Sequence, residues 1–386
     1  MRMDIVSTNS ENLLSSFPPI LRQNFKELFL HGKIGLTPIA LNDVRPSKYY
    51  VRNNQSYGYS YTIKVPYASK RLNWELIFCP EDLKFAPDFN FNDETFYLAY
   101  DINSIIENVP SLEQWNVYDA KSLITVLKQF LSLYKKQQLE RLSDNIYAHV
   151  NLEYQSLVRE VNPHDVEIYL EHTCAHFLIS VKVDVSALPE YLQPIMNGQN
   201  DDYLNPGDDT CYLKVSFVKL DGSRVNTSLQ LSPRIDQLIN RKTFHFPDFV
   251  KHSSLPEYVT TVTNLLQEHI EQLVIYHKLK KEFMTCLCTM YAESVLEFDS
   301  EKFDKAEILL EVDDYHCLVQ IEINQTFPEE KPTVTLIAIN CHPLANTCRE
   351  KLDYEYNPHW TPEEMLAKLM DSLGENIQRF ENHKHA

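Results

Sequence analysis

Glycine is nearly missing from this chain, with 7 residues among 386. No two of them frame a GxGxxG or GxxxxGK(S/T) pattern. A loop that cradles phosphate crowds backbone amides around the anion and needs several closely spaced glycines. The two commonest kinds of nucleotide-binding enzyme are therefore disfavoured, and no cofactor is expected. Positive charge is also scarce, 36 Lys and Arg against 54 Asp and Glu, a formal charge of -18. Such a balance repels a phosphate backbone, and no basic stripe reverses it locally. Nucleic acid is thus not an expected ligand, and a basic protein surface is the better electrostatic match. No run of about 18 uncharged apolar residues occurs, so no membrane span is expected. Met1 to Leu14 is polar and holds no apolar core for a signal peptide.

What is present points to packed cores. Apolar residues make up 44% and aromatics 11%, ample to exclude disorder. The length exceeds the usual size of one hydrophobic core, so two or three domains are expected. Proline is plentiful, with 20 residues, and punctuates strands and loops in place of glycine. The 8 cysteines are scattered, several within apolar strand-like runs, where a reduced cysteine behaves as a small hydrophobe. A cytoplasmic or nuclear chain with reduced thiols is the expectation.

Helical spacing of Ile20, Leu21, Phe25, Leu28 and Phe29 predicts a helix over Phe17 to His31. Strand signals follow at Tyr59 to Val65 and Leu72 to Phe78, then a loop bounded by Pro80 and Pro87 and a short strand around Phe89 to Phe91. Beyond Trp115 a helix is predicted from Tyr118 to Leu142. The final segment repeats the order: a helix over Tyr276 to Ser294, strands at Ala306 to Val312 and Cys317 to Ile323, a proline loop, and a strand at Thr333 to Ile339. Its last helix opens at Thr361-Pro-Glu-Glu364, where threonine caps and proline takes the first helical position. Trp74 and Trp115 stand 41 positions apart, and Leu318 and Trp360 stand 42 apart, so the two segments look like a divergent duplication. Between them lie a short helix (Val150 to Val161) and strands at Val166 to Leu170, His176 to Val185, Tyr212 to Leu220 and Thr227 to Leu231. A polar insertion, Asn197 to Asp209, interrupts them, and a helix from Pro256 runs on, with a break, towards the last unit. The fold class is α+β, with antiparallel sheets flanked by helices and domains at 1–145, 146–272 and 273–386.

Trp74 to Phe78, the Pro80/Pro87 loop and Phe89 to Phe91 resemble the strand–proline–strand signature of ubiquitin-conjugating enzymes and their inactive variants, the UEV domains. Leu318 to Ile323, Phe327-Pro328, Pro332 and Val334 to Leu336 look like a second copy. Taken in order, His31 to Leu36, Val65 to Ala68, Leu231 to Ile235 and Tyr276 to Lys278 resemble the brain and reproductive organ-expressed (BRE) family over nearly the whole chain. That resemblance implies UEV-like domains at both ends, an RWD-like fold between them and no catalytic cysteine. It also implies membership of a dimeric hetero-oligomer, the BRISC deubiquitinase assembly. There the subunit links a JAMM-type zinc isopeptidase and its pseudo-enzyme (MPN-minus) scaffold to a von Willebrand A-type adaptor. The implied substrate is polyubiquitin, with a nuclear sister complex in DNA-damage signalling.

The residues give little support for chemistry in the chain itself. Active conjugating enzymes carry a His-Pro-Asn turn followed by the cysteine, and after Phe91 there is no cysteine before Cys174. In the last unit His342-Pro343 is followed by Leu344, and Cys348 arrives too early for the active pattern. A thiol becomes a nucleophile only with a lowered pKa and a built oxyanion site. Cys341, His342, Cys348 and His359 match no usual zinc spacing. His172, Cys174 and His176 alternate and would share one strand face, read as a solvated surface rather than a ligand set. No catalytic or metal residue is therefore assigned. The surplus apolar residues Phe283, Met284, Leu287, Met290 and Tyr291 are the candidates for a partner-facing helix surface. An interaction scaffold is the leading expectation. The alternatives are an active conjugating enzyme using Cys348 or Cys341, and a free-standing ubiquitin receptor.

Overall fold

The computed structural model describes residues 14–52, 55–192, 210–239, 244–249, 254–312, 315–339 and 349–382. The insertion at Asn197 to Asp209 and the Cys341 to Cys348 stretch lie outside the described residues. Two compact units make up the chain: Met1–Val183 with Met196–Leu265, and Asp184–Ile195 with Leu266–Ala386. Each packs helices against antiparallel sheet, as the α+β reading anticipates.

Helix α1 (Arg22–His31) opens the first unit and starts later than the apolar spacing suggests, because Pro18 and Pro19 precede it. Phe17 is nonetheless fully buried, stacked on Phe25 and Tyr61. Strands β1 (Val44–Arg52), β2 (Gln55–Tyr67), β3 (Lys70–Ile77) and β4 (Asp88–Asn90) form a meander in that order. On β3, Leu72, Trp74 and Leu76 turn inward, and Trp74 meets Phe91 edge-on at 5.2 Å. Trp74 is thus a core residue. Helix α2 (Ser122–Arg141) lays Leu123, Val126, Leu127, Phe130, Leu131 and Tyr134 into the same core, the row its periodicity predicts.

The second sheet of this unit follows helix α3 (Ala148–Leu157). It runs β5 (Val166–Leu170), β6 (Ala175–Lys182), β7 (Thr210–Phe217) and β8 (Val225–Gln230), again antiparallel neighbours in sequence order. Ser232 then caps a short helix, Pro233–Leu238, through Ile235 N at 3.2 Å.

Helix α4 (Leu255–Met290) is one uninterrupted helix of 36 residues, so the expected break is absent. Between Glu257 and Met290 there is neither glycine nor proline to cause one. Its C-terminal part belongs to the second unit, with the five-stranded meander β9 (Val295–Phe298), β10 (Lys305–Val312), β11 (Tyr315–Glu322), β12 (Thr333–Ala338) and β13 (Arg349–Leu352). Helix α5 (Pro362–Asn382) closes the unit. Its start is a reciprocal capping box: Thr361 N donates to Glu364 Oε2 at 2.9 Å, and Glu364 N to Thr361 Oγ1 at 3.3 Å. In β11 the inward residues are Cys317, Val319 and Ile321, while Leu318 lies half-buried on the other face. Pairing Leu318 with the core residue Trp74 is therefore off by one position, which in a strand exchanges the two faces. Among the described residues no helix is long and apolar enough to cross a membrane.

Candidate functional site

The row proposed as a partner-facing helix surface divides sharply. Phe283, Met284 and Leu287 are fully buried in the core of the five-stranded sheet, with Phe283 against Phe327 at 5.6 Å. Packing within the unit accounts for these three, which corrects the expectation that they face outward. Tyr291 is half-buried against the same core, and only Met290, 53% exposed, stands open. Leu296 and Phe298 on β9, an edge strand of that sheet, are also exposed.

A denser polar site occupies the first unit. Glu167, on β5, is 3% exposed, and both its carboxylate oxygens accept backbone amides. Leu36 N donates to Oε1 and Ala68 N to Oε2, each at 2.8 Å. Ala68 and Ser69 form the two-residue turn between β2 and β3, both with positive φ (43° and 68°). The carboxylate thus steadies a turn whose side chains suit it poorly. Gly35 leaves the space: a Cβ there would lie 2.6 Å from Glu167 Oε1 and 2.9 Å from Leu131. Burial pushes the Glu167 carboxyl pKa up, opposed by the amides of Ala68 and Leu36.

Beside Glu167 opens a cavity of about 360 Å³, with Lys33, Lys128, Lys135 and Lys182 on its wall. Lys135 Nζ donates to the Pro163 carbonyl at 2.6 Å, and Lys182 pairs with Asp165 at 3.3 Å. Burial lowers the Lys135 pKa. These lysines are scattered in sequence and come together only in the fold. Asp165 and Glu167 line the same cavity and offset part of this positive charge.

The tip of the β5–β6 hairpin holds a third cluster. His172, Thr173 and Cys174 do not continue a strand: Glu171 N donates to Cys174 O at 2.9 Å, so residues 171–174 form the turn. His172 is exposed and stands apart, and Glu171 takes its place beside the thiol. Cys174 Sγ lies 3.1 Å from Glu171 Oε2 and 3.5 Å from His176 Nε2, while His176 Nε2 lies 3.6 Å from Glu171 Oε1. Lys70 Nζ donates to Glu171 Oε1 at 2.7 Å, and His176 Nδ1 is 2.9 Å from Ser216 Oγ. The Cys174 thiol is held above its ordinary pKa by burial and by the hydrogen bond to Glu171. A carboxylate beside the sulfur opposes thiolate formation, the reverse of what a nucleophile needs. The two cysteines considered for catalysis, Cys341 and Cys348, lie outside the described residues.

The model of the brain and reproductive organ-expressed protein (BRE) family matches residues 15–341. The chain belongs to the BRE family. It is similar to the protein named BRISC and BRCA1-A complex member 2 in Branchiostoma floridae, 27% identical across 94% of this chain and 95% of that protein. The Danio rerio protein of the same name is also 27% identical, across 97% of each. Within this BRE-family chain, two of the strings that carry the resemblance, His31 to Leu36 and Val65 to Ala68, end at the residues whose amides Glu167 holds. Glu167 and Glu171 escaped the sequence reading because a lone carboxylate in a strand or turn reads as solvated. The available signal was Glu167 within Val166-Glu-Ile-Tyr-Leu170, a charge flanked by core residues on both sides.

Proposed function

We propose that this chain acts by binding rather than by chemistry, as a scaffold subunit of a BRISC-type deubiquitinase assembly. The observation that carries the reading is the end-to-end similarity to relatives named as complex members. Three features support it. The Cys174 thiol sits in an environment that suppresses a thiolate. No HExxH pair, the zinc motif of helical metalloproteases, occurs in the sequence. The exposed apolar residues Met290, Leu296 and Phe298 provide surface suited to a protein partner.

In the finer reading, the three sheets correspond to tandem UEV/RWD-like domains at 1–145, 146–272 and 273–386. The partners are a JAMM-type isopeptidase, its MPN-minus scaffold and a von Willebrand A-type adaptor in a dimeric hetero-oligomer. Polyubiquitin is the substrate of the whole, and the assembly works in cytoplasm and nucleus. Co-expression of the tagged chain with those three subunits, followed by sizing, tests this. Co-elution as one stoichiometric particle that cleaves polyubiquitin is the expected result. Elution alone as a monomer with ubiquitin affinity would make it a free-standing receptor. A thioester with ubiquitin, lost on changing Cys348 or Cys341, would make it a conjugating enzyme.

A further inference from the structure

We infer that Glu171, Cys174 and His176 form a binding site for a thiophilic divalent cation of the zinc type, with water completing the coordination. Tetrahedral zinc holds sulfur at about 2.3 Å and nitrogen or oxygen at about 2.0–2.1 Å, so its ligand atoms stand about 3.3–3.6 Å apart. Here the thiol and the imidazole Nε2 stand 3.5 Å apart, while Glu171 meets the thiol through Oε2 at 3.1 Å and the imidazole through Oε1 at 3.6 Å. One ligand atom from each of the three residues already lies within 4.8 Å of the other two, so closing on an ion needs a turn of the Glu171 carboxylate and a small contraction.

Local structure explains why the donors meet. The two-residue turn sets Glu171 opposite Cys174, and His176, the second residue of β6, brings its Nε2 to 3.5 Å from the thiol. The site therefore rests on a paired hairpin rather than on a free loop. Ser216, paired with His176 across β6 and β7, meets the Nδ1 of the ring. With Nδ1–H donating to Ser216 Oγ, the Nε2 lone pair points at the thiol and carboxylate, the usual support behind a ligating imidazole.

Charge points the same way. A carboxylate and a sulfur 3.1 Å apart tolerate a thiolate only with a cation between them. Lys70 now supplies a single positive charge from one side. A divalent ion with one carboxylate, one thiolate and one neutral imidazole would leave the cluster neutral. On binding, the Cys174 S–H bond breaks, the sulfur keeps its electron pair for the metal, and one proton passes to solvent. Lys70, which also lies over the Tyr169 ring at 5.8 Å, competes with the ion for Glu171, and its side chain is 39% exposed.

The test uses the full-length chain, stripped of metal and titrated with Co2+ and then Zn2+. We expect saturation at a 1:1 ratio, a thiolate-to-cobalt charge-transfer band, and displacement of that band by zinc. Cys174→Ser should abolish the band with the far-ultraviolet dichroism unchanged, and Lys70→Met should tighten binding at least several-fold. Because Cys174→Ser could misfold, a Cys341→Ser/Cys348→Ser variant gives an independent arm in which the band must survive. No band in the parent chain, or a band that persists without Cys174 or vanishes without Cys341 and Cys348, overturns the assignment.

Discussion

Replacing Glu167 by alanine removes both acceptors at a buried position. Leu36 N and Ala68 N are then left buried without partners, since Leu36 is 8% exposed and Ala68 is 0% exposed. An orphaned buried donor costs about 1–3 kcal/mol, so the pair costs about 2–6 kcal/mol. That loss is local to two short segments, so the assay should resolve position. Hydrogen exchange read by mass spectrometry on peptides spanning residues 33–38 and 66–71 does so. At about 1.36 kcal/mol per tenfold, each amide should exchange about 5- to 150-fold faster. Peptides from β11 and β12 in the other unit should not change. Unaltered exchange at both sites, or a change shared equally with β11 and β12, would refute the assignment of Glu167 as the holder of these loops.

The same residue gives a pH dependence with a definite sign. Burial raises the folded pKa of Glu167 above its ordinary value of 4.5. Between the unfolded and folded values the native state therefore binds more protons than the unfolded chain. Stability from this group is fully present below the unfolded value and is lost as pH rises through the folded one. Glu167→Gln keeps one acceptor but cannot ionise. Its urea midpoint, compared with that of the parent chain from pH 4 upward, should lack this downward contribution.

Three further substitutions test separate parts of the fold. Gly374→Ala, inside α5 where a Cβ meets nothing within 4 Å, should stabilise by about 1 kcal/mol through helix propensity, read as a raised Tm. Ser69→Gly, at an exposed turn position with φ 68°, should relieve left-handed strain and stabilise by about 0.5–1 kcal/mol, measured by urea unfolding. Asp93→Ala removes the side chain that caps Thr95 N and Phe96 N and accepts from Tyr134 Oη at 3.0 Å; a loss of about 1–3 kcal/mol is expected in the same assay.

The parts of this fold that were legible in the sequence are those that bury one face. Central strands such as β6, β7, β10 and β11 carry alternating apolar residues, and α2 carries its core row at helical spacing. The edges were not legible. Strand β1 contains Arg45, Pro46 and Lys48 with a register shift around Pro46, and β13 is Arg-Glu-Lys-Leu; neither was assigned from the sequence. Charge, proline and bulges are what keep an open edge from pairing with another chain, so the signals that protect an edge also hide it. The polar sites were hidden for another reason. Glu167 holds amides 131 and 99 positions away, and Lys70 reaches Glu171 across 101. No local pattern encodes a partner that only the tertiary fold supplies.

Those long-range contacts share a location with a consequence for a scaffold. Where the second sheet of the N-terminal unit meets the β2–β3 turn, helix α2 and the Leu36 loop, the ties are directional. Besides the Glu167 pair, Leu170 N donates to Gln138 Oε1 at 2.9 Å, Tyr212 Oη donates to the Leu36 carbonyl at 2.6 Å, and Lys70 pairs with Glu171. Each such bond contributes only about 1 kcal/mol net when made but costs more when one partner is left buried and alone. A purely apolar contact tolerates sliding, whereas this seam penalises every register but one. The hairpin tip with Cys174 and His176 lies at one end of it. A divalent ion displacing Lys70 from Glu171 would release one tie across the seam while tightening the turn behind it. Metal occupancy should then appear as faster exchange around Lys70 and slower exchange across residues 171–176.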